Sequence, residues 1–96
     1  MQKYPDKVPI ICERAAGSSL PENERSKFLA PGDLTAFQFG FIIRKRIKLA
    51  EKDSLYFFVN GKYLLKGDTL MSEVYEQRKD NDGFLYITYA DETTLG

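Results

Sequence analysis

One stretch of this chain, residues 34–49, is long enough and periodic enough to make a substantial helix, and the segments around it are short. Phe39, Ile42, Ile43 and Arg46 fall on one side of it at three-to-four spacing, and Ala36, Gly40, Ile43 and Ile47 follow the adjoining face. Asp33 supplies a start signal. Arg44, Lys45, Arg46 and Lys48 sit in the last turns, where cations complement the helix dipole. The basic cluster is thereby explained by helix electrostatics and needs no ligand. A second, shorter helix is predicted over 69–79, with Leu70, Val74, Met71 and Tyr75 turned inward.

The rest reads as strands. Val8-Pro9-Ile10-Ile11-Cys12-Glu13 forms the first, and a long turn over 16–23 separates it from Lys27-Phe28-Leu29-Ala30, which Pro31-Gly32 stops. Leu55-Tyr56-Phe57-Phe58-Val59 is apolar on both faces, as a central strand must be. Asn60-Gly61 signals a tight turn into Lys62-Tyr63-Leu64-Leu65. Asp80-Asn81-Asp82-Gly83 breaks the second helix before a last strand, Phe84-Leu85-Tyr86-Ile87-Thr88-Tyr89. The order is β-β-α-β-(β)-α-β. It matches an α+β protein of the β-grasp, or ubiquitin-like, architecture: a mixed sheet clasping one main helix.

Composition narrows the chemistry. Ninety-six residues, 43% hydrophobic, fit one domain with a real core. Fourteen basic and fourteen acidic residues cancel, which argues against bulk electrostatic binding to nucleic acid or anionic membrane. There is no histidine, so the commonest general base and zinc ligand is missing. The single cysteine, Cys12, has no neighbour that would lower its pKa and reads as a small buried hydrophobe. No nucleophile and base can be paired, and an enzyme is not expected; nor is a metal or other cofactor. The absence of a signal-peptide pattern or a membrane-length apolar run points to the cytoplasm. The chain ends in Ala90-Asp91-Glu92-Thr93-Thr94-Leu95-Gly96, a polar run with little to pack, expected to project as a flexible tail over about 91–96 from a single domain. A terminal glycine can thread a narrow channel because it has no Cβ.

Several runs carry a resemblance: Lys3-Tyr4-Pro5-Asp6-Lys7-Val8-Pro9, Lys27-Phe28-Leu29-Ala30-Pro31-Gly32-Asp33-Leu34-Thr35, Ile43-Arg44-Lys45-Arg46-Ile47, Tyr56-Phe57-Phe58-Val59-Asn60, Phe84-Leu85-Tyr86-Ile87 and the glycine end. In these runs the chain resembles the autophagy ubiquitin-like modifiers, the family that includes GABARAP and the microtubule light-chain-3 proteins. The resemblance implies activation at Gly96 by ATP and passage as a thioester between an E1-like and an E2-like enzyme. It further implies attachment to phosphatidylethanolamine and a processing and deconjugating cysteine protease. The lipid-attached form would sit on autophagosomal membranes and recruit receptors bearing aromatic-x-x-aliphatic motifs. The catalytic cysteines belong to those enzymes; this chain is substrate and adaptor.

Site residues follow from the resemblance together with strand parity. Val8, Ile10 and Cys12 share one face of the first strand, and Pro9, Ile11 and Glu13 the other. Both of the first two strands are short and lie near a likely sheet edge, so an extended peptide can add through Lys27 to Leu29. The resemblance assigns a first apolar pocket to Pro9, Ile11, Lys27, Leu29 and Phe84. It assigns a second to Phe28, Ala30, Pro31, Leu34, Phe39, Ile42 and Arg46. Lys7, Arg25 and Arg46 would attract acids beside the motif. Read without the resemblance, most of these side chains would pass for ordinary core.

Three departures stand out. Two short helices that precede the first strand in the family are not in this sequence, and the first pocket would lose an acidic and an aliphatic contact with them. The family has a small residue and then a bulky aromatic where this chain has Phe37 and then Gly40, so the Phe37 ring is expected to fill the space over Gly40. Leu95 replaces the usual aromatic before the terminal glycine. Two other readings remain open: an interaction domain whose Gly96 is never activated, and a protein-conjugated or sulfur-carrier modifier, though Leu95-Gly96 is not the Gly-Gly end of the sulfur carriers.

Overall fold

An apolar run, Val8 to Cys12, sets the first strand, and its two faces differ in burial, not in residue type. In the computed structural model, which describes residues 7–23 and 25–91, β1 (Lys7–Arg14) buries Val8, Ile10 and Cys12 and turns Pro9, Ile11 and Glu13 to the other face. β2 (Lys27–Pro31) pairs antiparallel with it. β3 (Tyr56–Val59), β4 (Tyr63–Leu64) and β5 (Leu85–Ala90) complete a five-stranded sheet in the order β2-β1-β5-β3-β4. The β1/β5 pair is parallel and the others antiparallel, which makes the sheet mixed.

The main helix, α1 (Ala36–Arg46), crosses the inner face and buries Ala36, Phe39 and Ile43. Its start is corrected from Asp33 to Thr35. The Thr35 hydroxyl accepts from the Gln38 N–H at 3.2 Å, and the Gln38 side chain accepts from the Thr35 N–H at 3.0 Å. This reciprocal capping box satisfies two helix-end donors that Asp33 lies too far upstream to reach. The end also falls earlier than residue 49. Lys48 adopts φ 56°, its N–H donates to the Lys45 carbonyl at 3.3 Å, and the Leu49 N–H donates to the Arg44 carbonyl at 2.9 Å. These are the two bonds of a Schellman stop. A lysine sits where glycine usually advertises such a stop, so the sequence pattern runs through it.

Beneath α1 the core collects Ile10, Leu85, Ile87, Tyr89 and Phe57, with the rings of Phe39 and Phe57 5.2 Å apart. β3 is buried on both sides as expected, because Phe58 packs on the outer face with Ala15 and Ala90. Asn60 and Gly61 take φ 56° and 67°, and the Lys62 N–H donates to the Val59 carbonyl at 3.0 Å. Two positive φ values in succession make the mirror-image turn that Asn-Gly favours. α2 (Met71–Arg78) buries Met71, Val74 and Tyr75, whereas Leu70 caps it half-buried.

The space over Gly40 is not filled by Phe37. A Cβ there would meet the Phe57 ring at 3.4 Å, and Phe37 stays 65% exposed, edge-on to Phe41 at 4.9 Å. An open concavity of about 260 Å³ remains beside Gly40, Phe41 and Leu55. Phe37 lines the rim of that concavity, and its ring leans on Phe41 instead of crossing to Phe57. Gly96 and the rest of the predicted tail beyond Asp91 lie outside the described residues.

Candidate functional site at the β2 edge

β2 is an edge strand, so one side of its backbone has no partner strand among the described residues. The Cys12 N–H donates to the Ser26 carbonyl at 2.8 Å, which marks that pair as hydrogen-bonded across the hairpin. Antiparallel pairs alternate, so Ile10/Phe28 and Val8/Ala30 are also hydrogen-bonded, and Lys27 and Leu29 point their N–H and C=O groups outward. An extended peptide can hydrogen-bond to those two residues without disturbing the sheet.

Side chains beside this edge form two patches. Cross-strand register sets Pro9 opposite Leu29 and Ile11 opposite Lys27, all four on the outer face. Phe84 precedes Leu85, the β5 partner of Ile10, and shares that outer parity. The first set of residues is therefore brought together. Leu29, 56% exposed, is the open apolar member. Tyr86, not singled out from the sequence, belongs with them: it is the register partner of Ile11. Its phenol donates to the Asp82 carboxylate, a bond that holds Asp82 below and Tyr86 above their ordinary pKa ranges. Strand parity with Phe84 was the available signal for Tyr86.

The second set is layered. Phe28 is half-buried, with the Phe39 ring 5.8 Å behind it edge-on and the Arg46 guanidinium 4.4 Å over its face. Phe39 and Ala30 are buried at 0% and 5% exposure and act as floor, not wall. Pro31 and Leu34 are partly open, and Ile42 is exposed on the adjoining helix face. Cations flank both ends of the strand. Arg25 and Arg46 share one concavity with Lys48 at the Lys27 end. Lys7, opposite Pro31, stands at the other.

The profile described as "Autophagy protein Atg8 ubiquitin like" covers residues 1–96. The chain belongs to the Atg8 family. It is 48% identical to Autophagy-related protein 8 of Mycosarcoma maydis and 50% identical to Autophagy-related protein 8e of Arabidopsis thaliana, each over 99% of this chain and over 80% and 77% of theirs. The crystal structure of Trypanosoma brucei ATG8 superposes with a TM-score of 0.88 at 41% identity, over 98% of this chain and 80% of that one. These matches tie the Atg8-type chain to autophagy and to ubiquitin-like modifiers.

Other residues read from the sequence fall into place around this family frame. Cys12 is completely buried, and desolvation pushes its thiol far above the ordinary range, so it stays protonated. Tyr56 and Phe58, the aromatic pair that the resemblance links to conjugation, pair with Ala90 and Thr88 at the end of β5. Among the described residues no group of His, Cys, Asp and Glu is placed to hold a metal ion, and no helix is long and apolar enough to cross a membrane.

Proposed function

We propose that this Atg8-family chain is a ubiquitin-like modifier joined through Gly96 to phosphatidylethanolamine, acting in autophagosome formation and in recruiting cargo receptors. The observation that carries the recruiting half is the β2 edge: outward backbone groups at Lys27 and Leu29, an apolar patch on either side, and cations at both ends. An aromatic side chain of a receptor motif enters by Pro9, Ile11, Leu29 and Phe84, and the aliphatic side chain settles by Phe28, Pro31 and Leu34. Lys7, Arg25 and Arg46 attract acids beside the motif, which raises association rate and selectivity more than affinity.

The attaching half rests on family membership and on the polar run ending in Gly96. An E1-like enzyme activates the carboxylate, an E2-like enzyme carries it as thioester, and the lipid amine displaces the thiolate to form an amide. A cysteine protease processes and releases it. The protein works from the cytoplasm and sits on the autophagosomal membrane once lipid-attached. Reconstitution with both enzymes and phosphatidylethanolamine liposomes tests this directly: deleting Gly96 removes both thioesters and the lipid adduct while the fold and receptor-peptide binding persist. A lipid adduct formed without Gly96 refutes it. A non-conjugated peptide-binding module is the second reading, favoured by an edge site whose described residues owe nothing to Gly96.

A further inference from the structure

The loop between β1 and β2 is long for a hairpin, and it closes around the end of β5. The Ala15 N–H donates to the Tyr89 carbonyl at 2.8 Å, and the Tyr89 phenol donates to the Pro21 carbonyl at 2.6 Å. Leu20 is buried in the main core, and the Arg14 guanidinium donates to its carbonyl at 3.0 Å. Those contacts fix the loop to the body. Two further side chains reach past the body to Asp91, more than seventy residues away in sequence. The Ser19 hydroxyl donates to one carboxylate oxygen of Asp91 at 2.7 Å, and the Ser18 hydroxyl lies 3.5 Å from the other. Ser18 is itself held, accepting from the Leu20 N–H at 3.2 Å. The Ser19 bond keeps the Asp91 carboxyl below the usual range, so it is an ionised acceptor at neutral pH.

Asp91 was read from sequence as the first residue of a projecting tail; in the structure it is tied down. Gly96 is only five residues further on, and five extended residues span at most about 18 Å. The place and direction in which Asp91 leaves the sheet therefore limit where the terminal carboxylate can go. A terminus with a fixed base searches a smaller volume for a partner's active site than one that frays from Tyr89 onward, and restricting a reacting group in this way raises its transfer rate.

We propose that Ser18 and Ser19 are positioning residues for the attachment segment, clamping Asp91 so that Gly96 is presented to the E1-like and E2-like enzymes from a fixed origin. This rests on the attachment reading above. In this reading the serines act through Asp91 alone and away from the β2 edge.

The test uses the full chain with its E1-like and E2-like enzymes and compares wild type with Ser18→Ala/Ser19→Ala, Ser19→Thr and Asp91→Ala. A loss of presentation and not of enzyme binding should leave KM unchanged while kcat for thioester formation falls about three- to tenfold in the double-alanine chain. Ser19→Thr keeps the hydroxyl and should retain near-wild-type kcat. Asp91→Ala should match the double-alanine loss, and combining them should add nothing further, since both remove one interaction. Hydrogen exchange at Ala90 and Asp91 should quicken in the double-alanine and Asp91→Ala chains with receptor-peptide affinity unchanged, and melting temperature should hold in Asp91→Ala, which keeps the Ser18–Leu20 bond. Unchanged kcat, a loss that threonine does not rescue, or additive losses would overturn the clamp. A wild-type chain that forms no thioester removes the attachment reading and the clamp with it, while leaving peptide binding at β2 untouched.

Discussion

The sheet has two edges, and they are built for different fates. β2 offers five residues, and Lys27 and Leu29 turn their backbone groups to solvent between two patches that side chains hold open. β4 has two residues, Tyr63 and Leu64, 41% and 51% exposed, as apolar as anything on β2. Yet Tyr63 lies under the Arg78 guanidinium at 3.8 Å, and the strand ends before a second outward residue could pair with a visitor. Short length and a covering cation are common ways to blunt an edge against unwanted pairing. Exposure alone therefore does not make a docking strand. Under the proposed function, length, outward register and a supported apolar floor do.

The largest expected effect comes from removing that floor. Phe39 stands behind Phe28 and also meets Phe57, so it joins the β2 side of the core to the β3 side. Phe39→Ala should cost about 3–5 kcal/mol of stability, as large-to-small changes at fully buried aromatics do. It should also weaken receptor-peptide binding even where the variant is folded, because Phe28 loses its backing. Urea titration and calorimetry at a temperature well below the melting point check both. Full peptide affinity in a destabilised Phe39→Ala chain would mean the second patch does not depend on its floor.

The two edges are separated most directly by placing the same charge on each. Leu29→Asp and Leu64→Asp change residues of similar exposure and should both fold normally. At Leu29 the substitution removes apolar contact and buries a carboxylate under the bound peptide, a loss of about 2–3 kcal/mol, roughly 30- to 150-fold in affinity. At Leu64 the affinity for an aromatic-x-x-aliphatic peptide should not move. Equal losses at both would dissolve the distinction between the edges.

How much of this was legible beforehand depends on which signal each residue carries. The apolar run Val8-Pro9-Ile10-Ile11-Cys12, with its two faces assigned by strand parity, and the Asn60-Gly61 turn are local signals, and the structure keeps both. The Thr35-x-x-Gln38 box was equally local but was passed over for Asp33. The Schellman stop at Lys48 was not legible, because only the backbone, not the residue type, announces it. Outward register on β2 needed the pairing itself: sequence gave the faces of Lys27 and Leu29, not the direction of their N–H groups. Gly40 shows the same limit. Its neighbour across the interface is Phe57 on β3, seventeen residues on, and no helical spacing could reveal that. A Cβ at Gly40 sits at ordinary contact distance from that ring, so Gly40→Ala should gain helix propensity of about 1 kcal/mol. A higher midpoint in denaturant with unchanged peptide affinity is expected; a lower one would show that Phe57 cannot yield there.

The smallest effect is also the finest test of the two edges, since a guanidinium lies over an aromatic ring at each. Arg46 covers Phe28 at 4.4 Å and Arg78 covers Tyr63 at 3.8 Å. Exposed pairs of this kind contribute about 0.5–1 kcal/mol, so Arg46→Ala and Arg78→Ala should destabilise the fold by similar small amounts. Their effects on binding should diverge. Arg46 shares a concavity with Arg25 at the Lys27 end of β2, and in the proposed function it attracts acids flanking a receptor motif, so its loss should slow association and flatten the salt dependence of affinity. Arg78 serves only to cover its ring, and peptide association should be the same without it at every ionic strength. Stopped-flow association at low and moderate salt reads the difference. If Arg78→Ala altered association as much as Arg46→Ala, the cation at β4 would be part of a docking surface and not a cover for it.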